Sequence, residues 1–448
     1  MKRYEAYKNC NIPWIKQIPS HWMTKRAKFL YKKEQRPVRE EDSVVTCFRD
    51  GVVTLRKNRR TTGFTEAISE FGYQGIRKGD LVIHVMDAFA GAIGVSDSDG
   101  KGTPVYNVCT AYGDSNNYYY AYALREMARA GFIQSLYRGI RERSSDFRFD
   151  VFERQYLPVP PREEQDQIVR YLDWQVSKIN RLIAAKRKRI ELVKEHFSVR
   201  IANIVCNGLK PNTPMRETGI DYIGAIPSHW TVLQNKRLFK SMNRTFQGIP
   251  TVLSLSQKDG LIPYSEMTER SLHTSSYESW QLVCPNDLVL NRFKAHLGVF
   301  FASKYTGIVT FHYGVYEAKM PLVAKYYEVL YHTPEYCRVY AGQSRGMTVG
   351  LQNLSDTNFY STYTVYPPNE EQREIVTEIE QIEKQQSSII AGVNRQIEKL
   401  QEFRTRLISD VVTGQVDVRG IKVPDDEYIN NEITEEEFEE ESKNNEEE

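Results

Sequence analysis

At roughly 150 residues per domain, a chain of 448 residues predicts two to four domains rather than one core. Hydrophobic residues at 40%, charged residues at 26% and aromatic residues at 12%, including 28 tyrosines, describe a chain that folds rather than a disordered one. No apolar run approaches the roughly 18 residues of a membrane span, and the start (Met1, Lys2, Arg3, Tyr4, Glu5) lacks the apolar stretch of a signal peptide, so a cytoplasmic protein with no membrane partner is expected. Six cysteines, at 10, 47, 109, 206, 284 and 337, offer neither Cys-x-x-Cys nor zinc-ligand spacing, which argues against a structural metal.

The net charge of +2 conceals an asymmetry, because residues 425–448 hold 13 acids against one base, Lys443. Removing that tail leaves 59 bases and 45 acids, so residues 1–424 carry +14. A basic body suits a polyanionic partner, and an acidic end block suits a disordered interaction or self-shielding tail.

In chain order, an opening segment (1–22) leads into a module (23–157) of short β-favouring runs broken by glycine turns. Ser43 to Phe48 and Val52 to Leu55 flank Asp50-Gly51, a hairpin signal, and Asp80 to Val85 is a further strand. A helix is predicted from Tyr118 to Ala130. After Pro160-Pro161 the period changes: Val169, Leu172, Val176, Ile179, Ile183, Ile190, Val193 and Phe197 fall three, four or seven apart, broken only at Lys186. Proline at the entrance, Glu163 and Glu164 in the first turn and Gly208 after the last periodic residue delimit one helix of about 45 residues within segment 158–209.

Residues 210–230 reopen the pattern. A second module (231–365) repeats the strand signals with Thr251 to Leu255, Asp259-Gly260 and Asp287 to Leu290. A second long helix (366–414) follows, through Ile375, Ile379, Ile382, Ile389, Val393, Ile397, Leu400 and Leu407, with Gln386 as its polar break and Gly414 as its stop. A short segment (415–424) and the acidic tail (425–448) close the chain.

The second half is the first half written again, about 207 residues later. Ile18-Pro19-Ser20-His21-Trp22 returns as Ile226-Pro227-Ser228-His229-Trp230, Asp80-Leu81-Val82 as Asp287-Leu288-Val289, and Tyr119-Tyr120 as Tyr326-Tyr327. Arg138-Gly139 returns as Arg345-Gly346, and Pro160-Pro161-x-Glu163-Glu164-Gln165 as Pro367-Pro368-x-Glu370-Glu371-Gln372. So long a period makes each copy a domain-sized module rather than a solenoid unit. Two long heptad-patterned helices would pair antiparallel.

The paired Ile-Pro-x-His-Trp openings, the paired Pro-Pro-x-Glu-Glu-Gln helix entrances and the stretch Val412-Thr413-Gly414-Gln415-Val416-Asp417-Val418-Arg419 together resemble the specificity (S) subunits of Type I restriction-modification systems, over nearly the whole chain. The first copy departs slightly, with Val205-Cys206-Asn207-Gly208 where the second has Val411-Val412-Thr413-Gly414. The resemblance implies an α+β chain of two globular target recognition domains separated by two long antiparallel helices, a coiled-coil spacer with a pseudo-two-fold internal repeat. It further implies a non-catalytic subunit that reads a bipartite site in double-stranded DNA. Two methyltransferase (M) and up to two translocase-nuclease (R) subunits would be its partners, and S-adenosylmethionine, ATP and Mg²⁺ would belong to them.

Catalytic motifs are weak in the residues themselves. The Asn/Asp-Pro-Pro-aromatic motif and glycine-rich cofactor loop of an adenine methyltransferase are missing, and Tyr366-Pro367-Pro368-Asn369 is a helix entrance. Gly94 to Gly102 fails the phosphate-loop pattern in both spacing and its terminal residue. Asp287 with Glu317-Ala318-Lys319 has the letters of a nuclease carboxylate cluster, but the first copy lacks them, and a solvated strand accounts for them. His21 and His229, at duplicated domain entrances, suit packing better than catalysis. A self-contained DNA-modifying enzyme and an RNA-binding or architectural scaffold are the competing classes.

Candidates for DNA contact are the basic and amide side chains beside predicted turns. In the first module these are Arg49 and Arg56, Lys57, Arg59 and Arg60; in the second, Gln257, Lys258, Arg292, Lys294, His296, Gln352 and Asn353. Arg138 and Arg345, shared by both copies, suit the sequence-independent phosphate backbone. Lys186 to Arg189 read as a charged coiled-coil flank.

Overall fold

Leu81, Val82 and Ile83 are three consecutive aliphatics with no exposed surface, the mark of a strand covered on both faces. In the structure, a computed structural model describing residues 2–59, 71–136, 147–246, 251–256, 260–267, 277, 279–344 and 353–424, Leu81–His84 is an inner strand of a four-stranded antiparallel sheet. It pairs with Tyr106–Ala111 on one side (Tyr106 opposite His84) and with Ile93–Val95 on the other, and Tyr31–Lys33 completes the sheet. The second copy builds the same sheet from Leu288–Asn291, Tyr313–Ala318, Phe300–Ala302 and Phe239–Ser241, with Tyr313 opposite Asn291. The expected hairpin around Asp50-Gly51 forms as Val45–Cys47 and Val53–Leu55 with Gly51 at φ 90°, and its counterpart pairs Leu253–Ser256 with Gly260–Pro263.

Tyrosine supplies much of each core. Tyr31 packs edge-on against Tyr120 (5.5 Å between centroids), Tyr120 against Tyr119 (5.1 Å) and Tyr119 against Trp22 (6.4 Å). Phe239, Tyr327, Tyr326 and Trp230 repeat the series at 5.3, 5.1 and 6.5 Å. Edge-to-face pairs of this kind add about 0.5–1.5 kcal/mol each beyond their buried area. The helix expected near 118–130 is Asn117–Arg129, started by Asn116, whose side chain accepts from the backbone N–H groups of Tyr118 and Tyr119.

The chain divides into two compact units, residues 1–187 with the segment from 394 onward, and residues 188–393. Each contains one module and a stretch of each long helix. Those helices are Arg162–Asn207 (46 residues) and Asn369–Val412 (44 residues), the first close to 70 Å long at about 1.5 Å per residue. Gly208 and Gly414 end them with φ of 81° and 74°. Within the first unit the helices run antiparallel, joined by Lys186 Nζ to Gln396 Oε1 (2.6 Å) and Arg404 Nη1 to Asn180 Oδ1 (2.8 Å). Within the second, Arg200 Nη2 meets Glu378 Oε1 at 2.8 Å. Lys186, the break in the apolar row, thus supplies a cross-helix hydrogen bond. The expected rows are not kept throughout: Val176 and Val193 are only half-buried, with Ser177, 2% exposed, taking the inward place beside the first, and Ile389 of the second helix is 39% exposed. The 3.6-residue turn carries the first row between Val176 and Ser177.

Candidate nucleic-acid interface

Each module is fastened to its helix by the letters of the two repeated motifs. In the first unit, Glu164 is buried and accepts from Trp22 Nε1 (3.0 Å), His21 Nε2 (2.8 Å) and the Tyr4 hydroxyl. Burial, followed by the bond to Glu164, drives the Tyr4 phenol far above its ordinary pKa. Gln165 donates to the Pro160 carbonyl and accepts from the Asn116 N–H, both at 2.9 Å. In the second unit Glu371 accepts from Trp230 (3.0 Å) and His229 (2.7 Å), while Gln372 bonds the Pro367 carbonyl and the Val323 N–H, again at 2.9 Å. His21 and His229 are therefore anchoring donors to a carboxylate. Tyr119 donates to the Val412 carbonyl (3.2 Å) and Tyr326 to the Val205 carbonyl (2.8 Å), so the end of a long helix is held by the module as well.

The apparent catalytic patterns have structural explanations. Asp287 is ion-paired with Arg244, which also reaches Glu317 at 3.1 Å, and Lys319 Nζ donates to the Lys236 carbonyl at 2.7 Å. Arg36 and Asp80 repeat this pair of a half-buried arginine with a buried aspartate in the first module. The glycines of Gly94 to Gly102 sit where strands meet closely: a Cβ on Gly94 would lie 1.9 Å from the Gly51 carbonyl, and one on Gly100 2.4 Å from that of Ser43. Among the described residues no group of three or more His, Cys, Asp and Glu side chains is arranged to hold a metal ion.

The described basic candidates fall into two groups. Arg59 is turned inward, ion-paired with Asp50 (2.7 Å) and lying over the Phe48 ring, and Arg292 is ion-paired with Asp356, which Tyr316 also donates to at 2.7 Å. Each of those two ties residues within its own module. Arg56 Nε reaches Thr46 Oγ1 at 3.3 Å, while Lys57, Lys294 and Asn353 are exposed. Nδ1 of the half-buried His296 has no hydrogen-bond partner. Arg60, Arg138, Gln257, Lys258, Arg345 and Gln352 lie outside the described residues, as does the acidic tail.

The structure brings Arg49 to a turn that the sequence did not mark. Arg49 Nη2 meets Asp87 Oδ1 at 3.2 Å, and His84 Nε2 approaches Asp87 Oδ2 at 3.6 Å. Burial pulls His84 below its ordinary pKa, with Asp87 opposing. This turn, Met86 to Gly91, is the counterpart of Phe293 to Gly298, which carries Lys294 and His296. Basic side chains mark it in the second module, and their absence hid it in the first.

No protein-family model matches the sequence, and the comparison with curated proteins found no match. Solved structures do match. One is a chain from a type I R-M system described for its complex assembly and conformational transition, at a TM-score of 0.64 and 14% identity, covering 89% of this chain and 99% of that one. Another is the HsdS subunit from Thermoanaerobacter tengcongensis, at a TM-score of 0.50 and 15% identity, covering 89% of this chain and 98% of that one. Two modules joined by two long helices, in that order and over nearly the full length of both chains, give this protein the fold of an HsdS subunit.

Proposed function

We propose that this chain is the sequence-specificity subunit of a Type I restriction-modification complex, without a catalytic centre of its own. One observation carries the reading: a single α+β module occurs twice, each copy fastened to the long helices by the same side chains, in a fold shared with solved HsdS over 89% of the chain. Residues 23–157 and 231–365 are the target recognition domains, each reading one half of a bipartite duplex site, and 158–209 and 366–414 are the spacer. A bipartite reader needs its two contact surfaces at a fixed distance, since half-sites on one face of B-DNA recur about every 34–36 Å. A helix pair sets such a distance where a flexible linker would blur it. The charge of +14 on residues 1–424 supports a polyanionic ligand.

Duplicated helix ends present duplicated docking surfaces, so two M subunits bind one S chain, with up to two R subunits added. S-adenosylmethionine, ATP and Mg²⁺ are handled by those partners. The test is a genome-wide map of N6-methyladenine in cells carrying the chain and its partners. The expected result is one bipartite motif with a fixed spacer that vanishes when the chain is deleted. No such motif, or methyl transfer from S-adenosylmethionine to DNA by the purified chain alone, overturns the reading.

A further inference from the structure

Leaving the strand Leu81–His84 or its counterpart Leu288–Asn291, the backbone makes the same turn in both copies. Asp87 has φ −109° and ψ 10°, and its counterpart Lys294 has φ −117° and ψ 19°. A fully buried alanine follows each, Ala88 or Ala295, and each turn closes on a left-handed glycine, Gly91 (φ 91°) or Gly298 (φ 72°), whose N–H meets that alanine's carbonyl at 3.0 Å. The flanks match too. His84 N–H bonds the Ala92 carbonyl at 2.9 Å and Asn291 N–H that of Val299 at 3.0 Å; Phe147 N–H bonds the Val85 carbonyl at 3.1 Å and Leu354 N–H that of Arg292 at 3.0 Å.

Ala88 and Gly91, which shape the turn, are retained as Ala295 and Gly298, while the side chains that face solvent are exchanged. Met86 (47% exposed) becomes Phe293 (37%), Ala90 becomes Leu297 (46%), and the carboxylate of Asp87 becomes the ammonium of Lys294. A charge inverted at the same backbone conformation is the opposite of what the modules do at their fastenings, where Glu164 equals Glu371 and the pair Arg36 with Asp80 equals Arg244 with Asp287. A surface meeting something common to both halves keeps its side chains. A surface meeting two different sequences keeps its geometry and changes its chemistry.

We propose, resting on the function just given, that this turn is a base-reading element of each module and that Asp87 and Lys294 are specificity-determining residues. Lys294 donates to the O6/N7 acceptor edge of a guanine in the major groove. Asp87, with Oδ1 held by Arg49, accepts from the exocyclic amino group of a cytosine. The first module's half-site then contains a cytosine where the second's contains a guanine.

The test maps modified adenines in cells carrying the chain with its partners, for the wild type, Lys294→Ala, Lys294→Arg and Asp87→Ala. Lys294→Ala is expected to relax the preference for guanine at one position of one half-site by about 10- to 100-fold, while the other half and the spacer stay unchanged. Lys294→Arg retains the guanine, showing that the turn still folds. Asp87→Ala relaxes a cytosine in the opposite half. Unchanged motifs in both alanine variants, a change in both halves from one substitution, or uniform weakening without altered bases overturns the inference. A wild-type map with no bipartite motif overturns the functional reading instead, and is seen before any variant is made.

Discussion

Glu164 and Glu371 perform one task in unequal surroundings. Glu164 collects three donors with its side chain 4% exposed, whereas Glu371 collects two with its side chain 21% exposed. Removing an acceptor from buried donors costs about 1–3 kcal/mol for each group left unsatisfied. Glu164→Ala is therefore expected to destabilise the first unit by about 3 kcal/mol and Glu371→Ala the second by roughly half that, read by urea denaturation with tryptophan fluorescence. Equal losses at the two sites would mean that burial does not govern the anchor. The letters of this anchor were legible in the sequence, because Ile-Pro-Ser-His-Trp and Pro-Pro-x-Glu-Glu-Gln each occur twice. That one motif binds the other was not, since their partners stand 142 residues apart and periodicity places positions, not contacts. Met86 and Asp87 were invisible for a different reason: a search for basic side chains passes over a turn whose charge is acidic.

The long helices were the most legible elements, because a 3.6-residue apolar period sustained over some 45 positions has no other solution, and proline and glycine mark its ends. The short strands were less so. Three-residue pairings such as Gln74–Ile76 with Gly100–Gly102 are fixed by tertiary contact and leave no alternation to read. The helices carry a prediction about distance. Deleting seven residues from each, Val176 to Leu182 and Glu383 to Ile389, keeps the heptad phase and shortens each helix by about 10 Å, or roughly three base pairs. The variant is expected to abandon its native site and select the same half-site bases around a changed spacer from a library of spacer lengths. Retention of the original spacing would show that the helices do not act as the ruler.

At the scale of the whole molecule, the acidic tail brings a chain of +14 down to +2. Ending the protein at residue 424 is expected to tighten binding to non-specific duplex DNA and steepen its salt dependence, since more counterions are released when fewer bases are shielded. Fluorescence anisotropy over a series of salt concentrations measures the slope. An unchanged slope would mean that the tail does not oppose the body's charge.

The first unit is also tied together by the segment that follows the second long helix. The Asp417 N–H bonds the Lys2 carbonyl at 2.9 Å, Gln415 Nε2 the Gln17 carbonyl at 3.0 Å, and Gln167 Nε2 the carbonyls of Val418 and Ile421 at 3.0 and 2.7 Å. The second unit, residues 188–393, is continuous. Domains ordinarily fold from the N-terminus as a chain is synthesised, and contacts between distant positions form late because the intervening loop must first be closed. Here the order is inverted: the second unit has all its residues while the first still waits for its last strip of helix. A nascent chain arrested after residue 393 has left the exit tunnel is expected to hold a protease-resistant second unit and a first module that is still cleaved. Protection of the first module at that stage would show that it does not need the helix end to which Tyr119 fastens it.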